Sequence, residues 1–186
     1  MGEHVNATDP DIHEPKGVST ANSGDVYVAD GAGSGAWGQS VSEYANIYTQ
    51  KSDSVTLSSI GTTVQTLPFS TDGAENGAVA DSSNNRLTLT TAGDYKVDFH
   101  ISMATAAAGD AGLYSFVVLD DGVVTPLESD IELSGTTDTT VVSVSGVITV
   151  GAGSQLTVRI ASDEAGNTDD IEIYNAQLSA LLLKAT

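Results

Sequence analysis

Tyr95-Lys96-Val97-Asp98-Phe99-His100-Ile101-Ser102-Met103 places an apolar side chain at every second position and a polar one between. Successive side chains of a strand leave opposite faces, so this stretch reads as a strand with one buried and one wet face. Leu156, Val158 and Ile160 alternate with Thr157, Arg159 and Ala161 in the same way, and Leu87 and Leu89 stand between Arg86, Thr88 and Thr90. Further strands are expected over 44–50, 54–57, 62–69, 127–133, 141–150, 171–174 and 177–183. Turn signals separate them: Ala92-Gly93-Asp94, Asp120-Asp121-Gly122, Gly151-Ala152-Gly153 and Ala165-Gly166-Asn167. Eight to ten short strands at such spacing predict an all-β antiparallel sandwich or jelly roll.

Composition agrees. The 186 residues include 21 Ser, 21 Thr and 19 Gly but only 4 Pro, and 40% are apolar, enough for one packed domain and a tail. Acids outnumber bases 25 to 6, for a formal charge of −19. Lys16, Lys51, Arg86, Lys96, Arg159 and Lys184 are scattered singly, whereas phosphate backbones and anionic membranes are gripped by clustered bases. Neither nucleic acid nor membrane is expected as a partner. Without cysteine there is no disulfide, thiolate metal site or cysteine nucleophile. The N-terminal residues lack the basic flank and apolar run of a signal peptide, which predicts synthesis and folding in a cytoplasm.

Residues 1–40 follow different rules and are expected to form an extended arm ahead of a domain at 41–186. No period of 2 or 3.6 appears there, and Pro10 and Pro15 forbid a continuous helix. Asp25 to Asp30 reads as a short strand. Trp37, the only tryptophan, follows in the Gly-rich stretch Gly31-Ala32-Gly33-Ser34-Gly35-Ala36. The expectation is an arm that orders when it docks on another protein. Its attachment residues are read as Ile12, His13, Glu14, Pro15, Lys16, Gly17, Val26, Tyr27, Val28 and Trp37.

Leu113-Tyr114-Ser115-Phe116-Val117-Val118-Leu119 breaks the alternation, being apolar on both faces. One face of a sandwich strand meets the core, so the other needs separate cover. A covering loop or the N-terminal arm would serve; the other cover is a second subunit, with Leu113, Tyr114, Phe116, Val117 and Leu119 forming the contact.

Two stretches carry a resemblance. Asn85-Arg86-Leu87-Thr88-Leu89-Thr90-Thr91-Ala92-Gly93-Asp94-Tyr95-Lys96-Val97-Asp98-Phe99-His100 is similar to the central hairpin of C1q/TNF-like jelly-roll domains, and 146–158, from Gly146-Val147-Ile148 to Leu156-Thr157-Val158, resembles a later hairpin of that family. The resemblance implies a jelly roll and a homotrimer. His13 to Gly17, leading to Gly24-Asp25-Val26-Tyr27-Val28-Ala29-Asp30 and Trp37, looks like the leader of tailed-bacteriophage virion proteins. That resemblance implies a structural virion protein, a capsid decoration (cement) or head-fibre protein on the particle surface, whose arm binds the major capsid protein or another virion protein. A receptor-binding fibre tip that reads host glycan is the alternative, with Tyr27, Tyr44, Tyr48 and Tyr174 as exposed aromatics.

Catalytic chemistry is not expected. His100 lies beside Asp98 on the polar face of its strand, but no nucleophile motif accompanies the pair. Asp163-Glu164 and Asp169-Asp170 bracket one loop, yet their spacing fits no EF-hand, and the reading is a solvated acidic loop. No metal or cofactor is expected.

Overall fold

The computed structural model describes residues 25–29, 35–39, 43–106, 112–134, 139–163, 165–166 and 169–186. The chain divides into two units, Met1–Val41 and Ser42–Thr186. In the first, β1 (Asp25–Ala29) pairs antiparallel with β2 (Gly35–Gln39), with Tyr27 opposite Trp37 in the register. Trp37 therefore belongs to a strand, β2, beyond the one short strand expected at Asp25 to Asp30. Backbone pairing with β1 overrides the low strand preference of glycine. Ile12, His13, Glu14, Pro15, Lys16 and Gly17 lie outside the described residues.

Among the described residues the second unit holds twelve strands: β3 (Tyr44–Thr49), β4 (Val55–Ile60), β5 (Gln65–Thr66), β6 (Thr71–Asn76), β7 (Val79–Asp81), β8 (Arg86–Thr88), β9 (Gly93–Thr105), β10 (Gly112–Asp120), β11 (Val123–Leu133), β12 (Thr140–Val150), β13 (Gln155–Ser162) and β14 (Asp169–Ala185). They form two six-stranded sheets. One runs β11-β10-β13-β8-β7, with β5 beside β13; the other runs β12-β9-β14-β3-β6, with β4 beside β14. All pairings are antiparallel. This is a jelly-roll sandwich.

The apolar row of β9 (Tyr95, Val97, Phe99, Ile101 and Met103) is buried, as are Leu156, Val158 and Ile160 of β13. Phe99 and Phe116 meet across the sandwich with ring centroids 5.9 Å apart. The β10–β11 hairpin turns at Asp121-Gly122, where φ is 49° and 81°. Two positive φ values in a two-residue loop define a type I′ turn, which the Asp-Gly pair favours. Gly93 starts β9 beneath β14, where a Cβ would fall 2.2 Å from the Lys184 carbonyl oxygen. Only glycine permits that approach.

Where the chain crosses between sheets, from β8 to β9, one buried carboxylate holds it. Glu43 is 3% exposed, and its Oε1 accepts from Thr90 N at 2.6 Å. Its Oε2 accepts from Thr90 Oγ1 at 2.9 Å and Thr91 N at 3.0 Å. Burial pushes the Glu43 carboxyl up, but hydrogen bonding by Thr91, Thr90 and Tyr95 outweighs it and holds the group below its ordinary value of 4.5. The same carboxylate and burial raise the Tyr95 hydroxyl well above its usual range, burial being the larger cause.

A depressed carboxyl contributes stability above the unfolded-state pKa and loses it as pH falls through the folded-state value. Glu43→Gln should therefore lower stability by about 1–3 kcal/mol at neutral pH. The gap between variant and wild type should narrow as pH drops below 4.5, as read from thermal melts across pH.

Candidate interaction surface

Strands β11 and β12 are the outer strands of their respective sheets, so each carries one edge without a strand partner. Midway along, Leu127 of β11 reaches over Gly146 of β12, where a Cβ would meet its Cδ2 at 2.4 Å. Toward the β10–β11 turn the two edges enclose a groove of about 360 Å³, lined by Asp120, Val123, Val124, Thr125, Pro126, Val147, Ile148 and Thr149. Val123, Val124 and Val147 are 70%, 64% and 57% exposed. Single exposed apolar residues are ordinary, but here three valines line one groove.

Local chemistry explains the groove's shape. Between Val117 and Leu119 the β10–β11 register slips, and Thr125 Oγ1 donates to the Val118 carbonyl at 2.8 Å. The bulge accommodates Pro126, which has no N–H for a ladder, at a sheet edge. Beyond it Val123 and Val124 are both exposed rather than alternating. At the end of the groove, burial raises the Asp120 carboxyl, aided by repulsion from Asp121 and opposed by Ser154. Strand β12 itself, Thr140 to Val150, contains no charged residue. Charges on an edge strand discourage pairing with another chain, and this edge has none.

A second apolar patch lies on the open face of the other sheet. Tyr44 and Leu181 are register partners, each 39% exposed, and Leu183 is 54% exposed. Beside them a shallow depression of about 320 Å³ is lined by Asn46, Lys96, Asp98, Gln177 and Ser179, with Tyr44 and Leu181 at its side.

The expected subunit contact on β10 is corrected. Tyr114, Phe116 and Leu119 are buried within their own sandwich, at 0%, 1% and 5% exposure. Tyr114 and Phe116 belong to the core row, and the register slip beside Val118 leaves Val118 and Leu119 both covered. Only Leu113, exposed, and Val117, half-buried, remain on the outer face. Val26, Val28 and Trp37 lie on the β1–β2 hairpin, where Tyr27 is half-buried. Tyr48 and Tyr174 are likewise half-buried, leaving Tyr44 as the exposed tyrosine of the second unit. The groove valines were missed because Val123 and Val124 follow a turn and show no alternation; the uncharged edge of β12 was the available signal.

On the polar face of β9, His100 and Asp98 turn to different partners. His100 Nε2 lies 3.0 Å from Asn175 Oδ1, while the Asp98 carboxylate accepts from Ser145 Oγ at 2.5 Å and pairs with Lys96 at 3.0 Å. Burial raises the Asp98 carboxyl, but these partners outweigh it and hold the group low.

No family model and no curated protein matches the chain. Among solved structures it is similar to the globular domain of zebrafish complement 1qA protein, with a TM-score of 0.57 and 14% identity, covering 78% of this chain and all of the other. The fold is thus the C1q/TNF-like jelly roll that the Asn85 to His100 stretch anticipates.

Proposed function

We propose that this chain is a non-catalytic structural protein of a bacteriophage particle, a homotrimeric head-decoration or head-fibre protein that is attached through its N-terminal unit. The valine-lined groove between β11 and β12 carries the trimer reading. A closed ring needs two different, complementary patches on each copy. The second unit has two: the groove, and the Tyr44, Leu181 and Leu183 face. Seating the groove of one copy on that face of the next removes apolar surface from water at about 25 cal/mol per Å². A few hundred Å² per contact then stabilises association by several kcal/mol before entropic costs. The homotrimer implied by the C1q/TNF-like resemblance has the same demand.

The attachment reading rests on the N-terminal unit. A two-stranded hairpin such as β1–β2 is marginally stable alone, and docking against a partner surface supplies the missing burial. The surrounding sequence resembles phage virion leaders. In a decoration protein, three such units gripping neighbouring capsid subunits add contacts that must break before the shell opens. The charge of −19 on every copy keeps unattached copies soluble and apart from packaged nucleic acid.

The second reading, a fibre tip that binds host glycan, draws on the depression where exposed Tyr44 borders Asn46, Gln177 and Asp98. An aromatic face beside hydrogen-bonding groups suits a sugar ring.

Three measurements separate these readings. In sedimentation equilibrium the full chain should run as a trimer, and the double variant Val123→Glu, Val147→Glu should run as a folded monomer; a trimeric double variant would refute the groove contact. Deleting residues 1–40 should leave a folded trimer that no longer binds phage heads, whereas undiminished binding would refute the role of the N-terminal unit. On a glycan array the full chain should bind no sugar. Selective binding lost in Tyr44→Ala would establish the fibre-tip reading instead.

A further inference from the structure

The groove between β11 and β12 has one charged wall. Asp120, the last residue of β10, lines it together with Val123, Val124 and Val147. Asp120 is half-buried, and its Oδ1 is buried without a hydrogen-bond partner. Burial pushes the carboxyl up; a hydrogen bond with Ser154 opposes this and repulsion from Asp121 reinforces it. Among the described residues the ion pairs are Arg86–Asp81 and Lys96–Asp98, so no base offsets this charge. A charge held against apolar walls is unfavourable without a counter-ion. A cation in the groove relieves the whole carboxylate and needs no access to Oδ1, because attraction carries further past apolar walls than through water. Valine walls with an acid at one end suit an unbranched alkyl stem that carries a terminal ammonium.

The chain holds such a group on the face already matched to the groove. The register of β14 on β9 slips between Leu182 and Lys184, and both Leu183 and Lys184 are exposed there. Lys184 thus stands at the end of the Tyr44, Leu181 and Leu183 patch, and it enters neither of the two ion pairs. Its register partner Asp94 accepts instead from Thr149 Oγ1 at 2.6 Å. The other described bases fit less well. Lys96 is held by Asp98 at 3.0 Å, and Arg159 lies on the other sheet. Lys51 follows Thr49, at the opposite end of β3 from Tyr44. Each copy carries −19, so copies repel overall, and a contact between them gains from setting a base against an acid.

We propose that Lys184 of one copy enters the groove of the next and pairs with its Asp120, so that each groove is completed by a neighbour's side chain. The pairing rests on the trimer reading above and adds to it the polar contact that aligns the two patches. An apolar groove alone tolerates sliding, whereas an ion pair at one end sets the register. Around a closed ring the same pair recurs at every contact.

The test is a double-mutant cycle on the full chain, with trimer dissociation followed by sedimentation equilibrium. Asp120→Asn leaves the ammonium without its acid, and Lys184→Met leaves the carboxylate without its base while keeping an unbranched stem. Each should weaken assembly by about 10-fold or more. The double variant carries neither charge and should dissociate much less readily than the two losses combined would give. Lys51→Met removes the same charge elsewhere and should assemble as wild type does. A wild-type chain that runs as a monomer overturns the trimer reading and this pairing together. A trimeric wild type whose two single variants assemble undiminished, or whose losses simply add in the double variant, overturns the pairing alone. Equal weakening by Lys51→Met also overturns it, by assigning the effect to net charge.

Discussion

The architecture depends on two sheets that each present one continuous apolar row to the other. Phe99 from the middle of β9 and Phe116 from the middle of β10 meet at the centre. Around them Tyr95, Val97, Ile101 and Met103 face Tyr114, Val118, Val158 and Ile160 in one core. Neither sheet has an internal reason to be flat or single-sided. Burial of these rows fixes the register of every long strand, because a slip by one residue would turn an inward row outward. The polar rows then fall on the outside: Lys96, Asp98 and His100 on one sheet, Glu128, Asp130 and Glu132 on the other.

How much of this was legible depends on how strongly each segment alternates. Strands β9 and β13 were readable because their apolar residues recur at a strict period of two. Strand β6, Thr71-Asp72-Gly73-Ala74-Glu75-Asn76, was not, since it has no alternation and Thr71 alone favours a strand. It exists because β3 offers it a ladder and because Gly73 fits beneath Asn46, where a Cβ would fall 2.1 Å from the side-chain oxygen. Strand β14 reads as two strands because a bulge between Ile173 and Asn175 interrupts its phase, although the pairing to β9 runs through it. On β10 the sequence shows two apolar faces but not which one its own sandwich consumes. That is decided by long-range pairing with β11 and β13, which puts Tyr114 and Phe116 inside.

The valine-lined groove was the least legible part for the same reason. An exposed valine after a turn looks like any other residue until the fold sets it beside another edge. Val123 and Val147 are 24 positions apart and become neighbours only through the hairpin geometry of β10–β11 and the placement of β12 at the end of its sheet.

The clasp at Glu43 has a practical bearing on where this chain can be cut. Glu43 precedes the first strand of the sandwich, so a fragment engineered to begin at Tyr44 keeps all twelve strands while discarding the acceptor of three hydrogen bonds at the β8–β9 crossover. The Glu43 carbonyl also accepts from Leu182 N at 2.8 Å, so the same cut would loosen the far end of β14. Counting strands would thus misjudge the minimal autonomous body by a single amino acid, and limited digestion should respect that border.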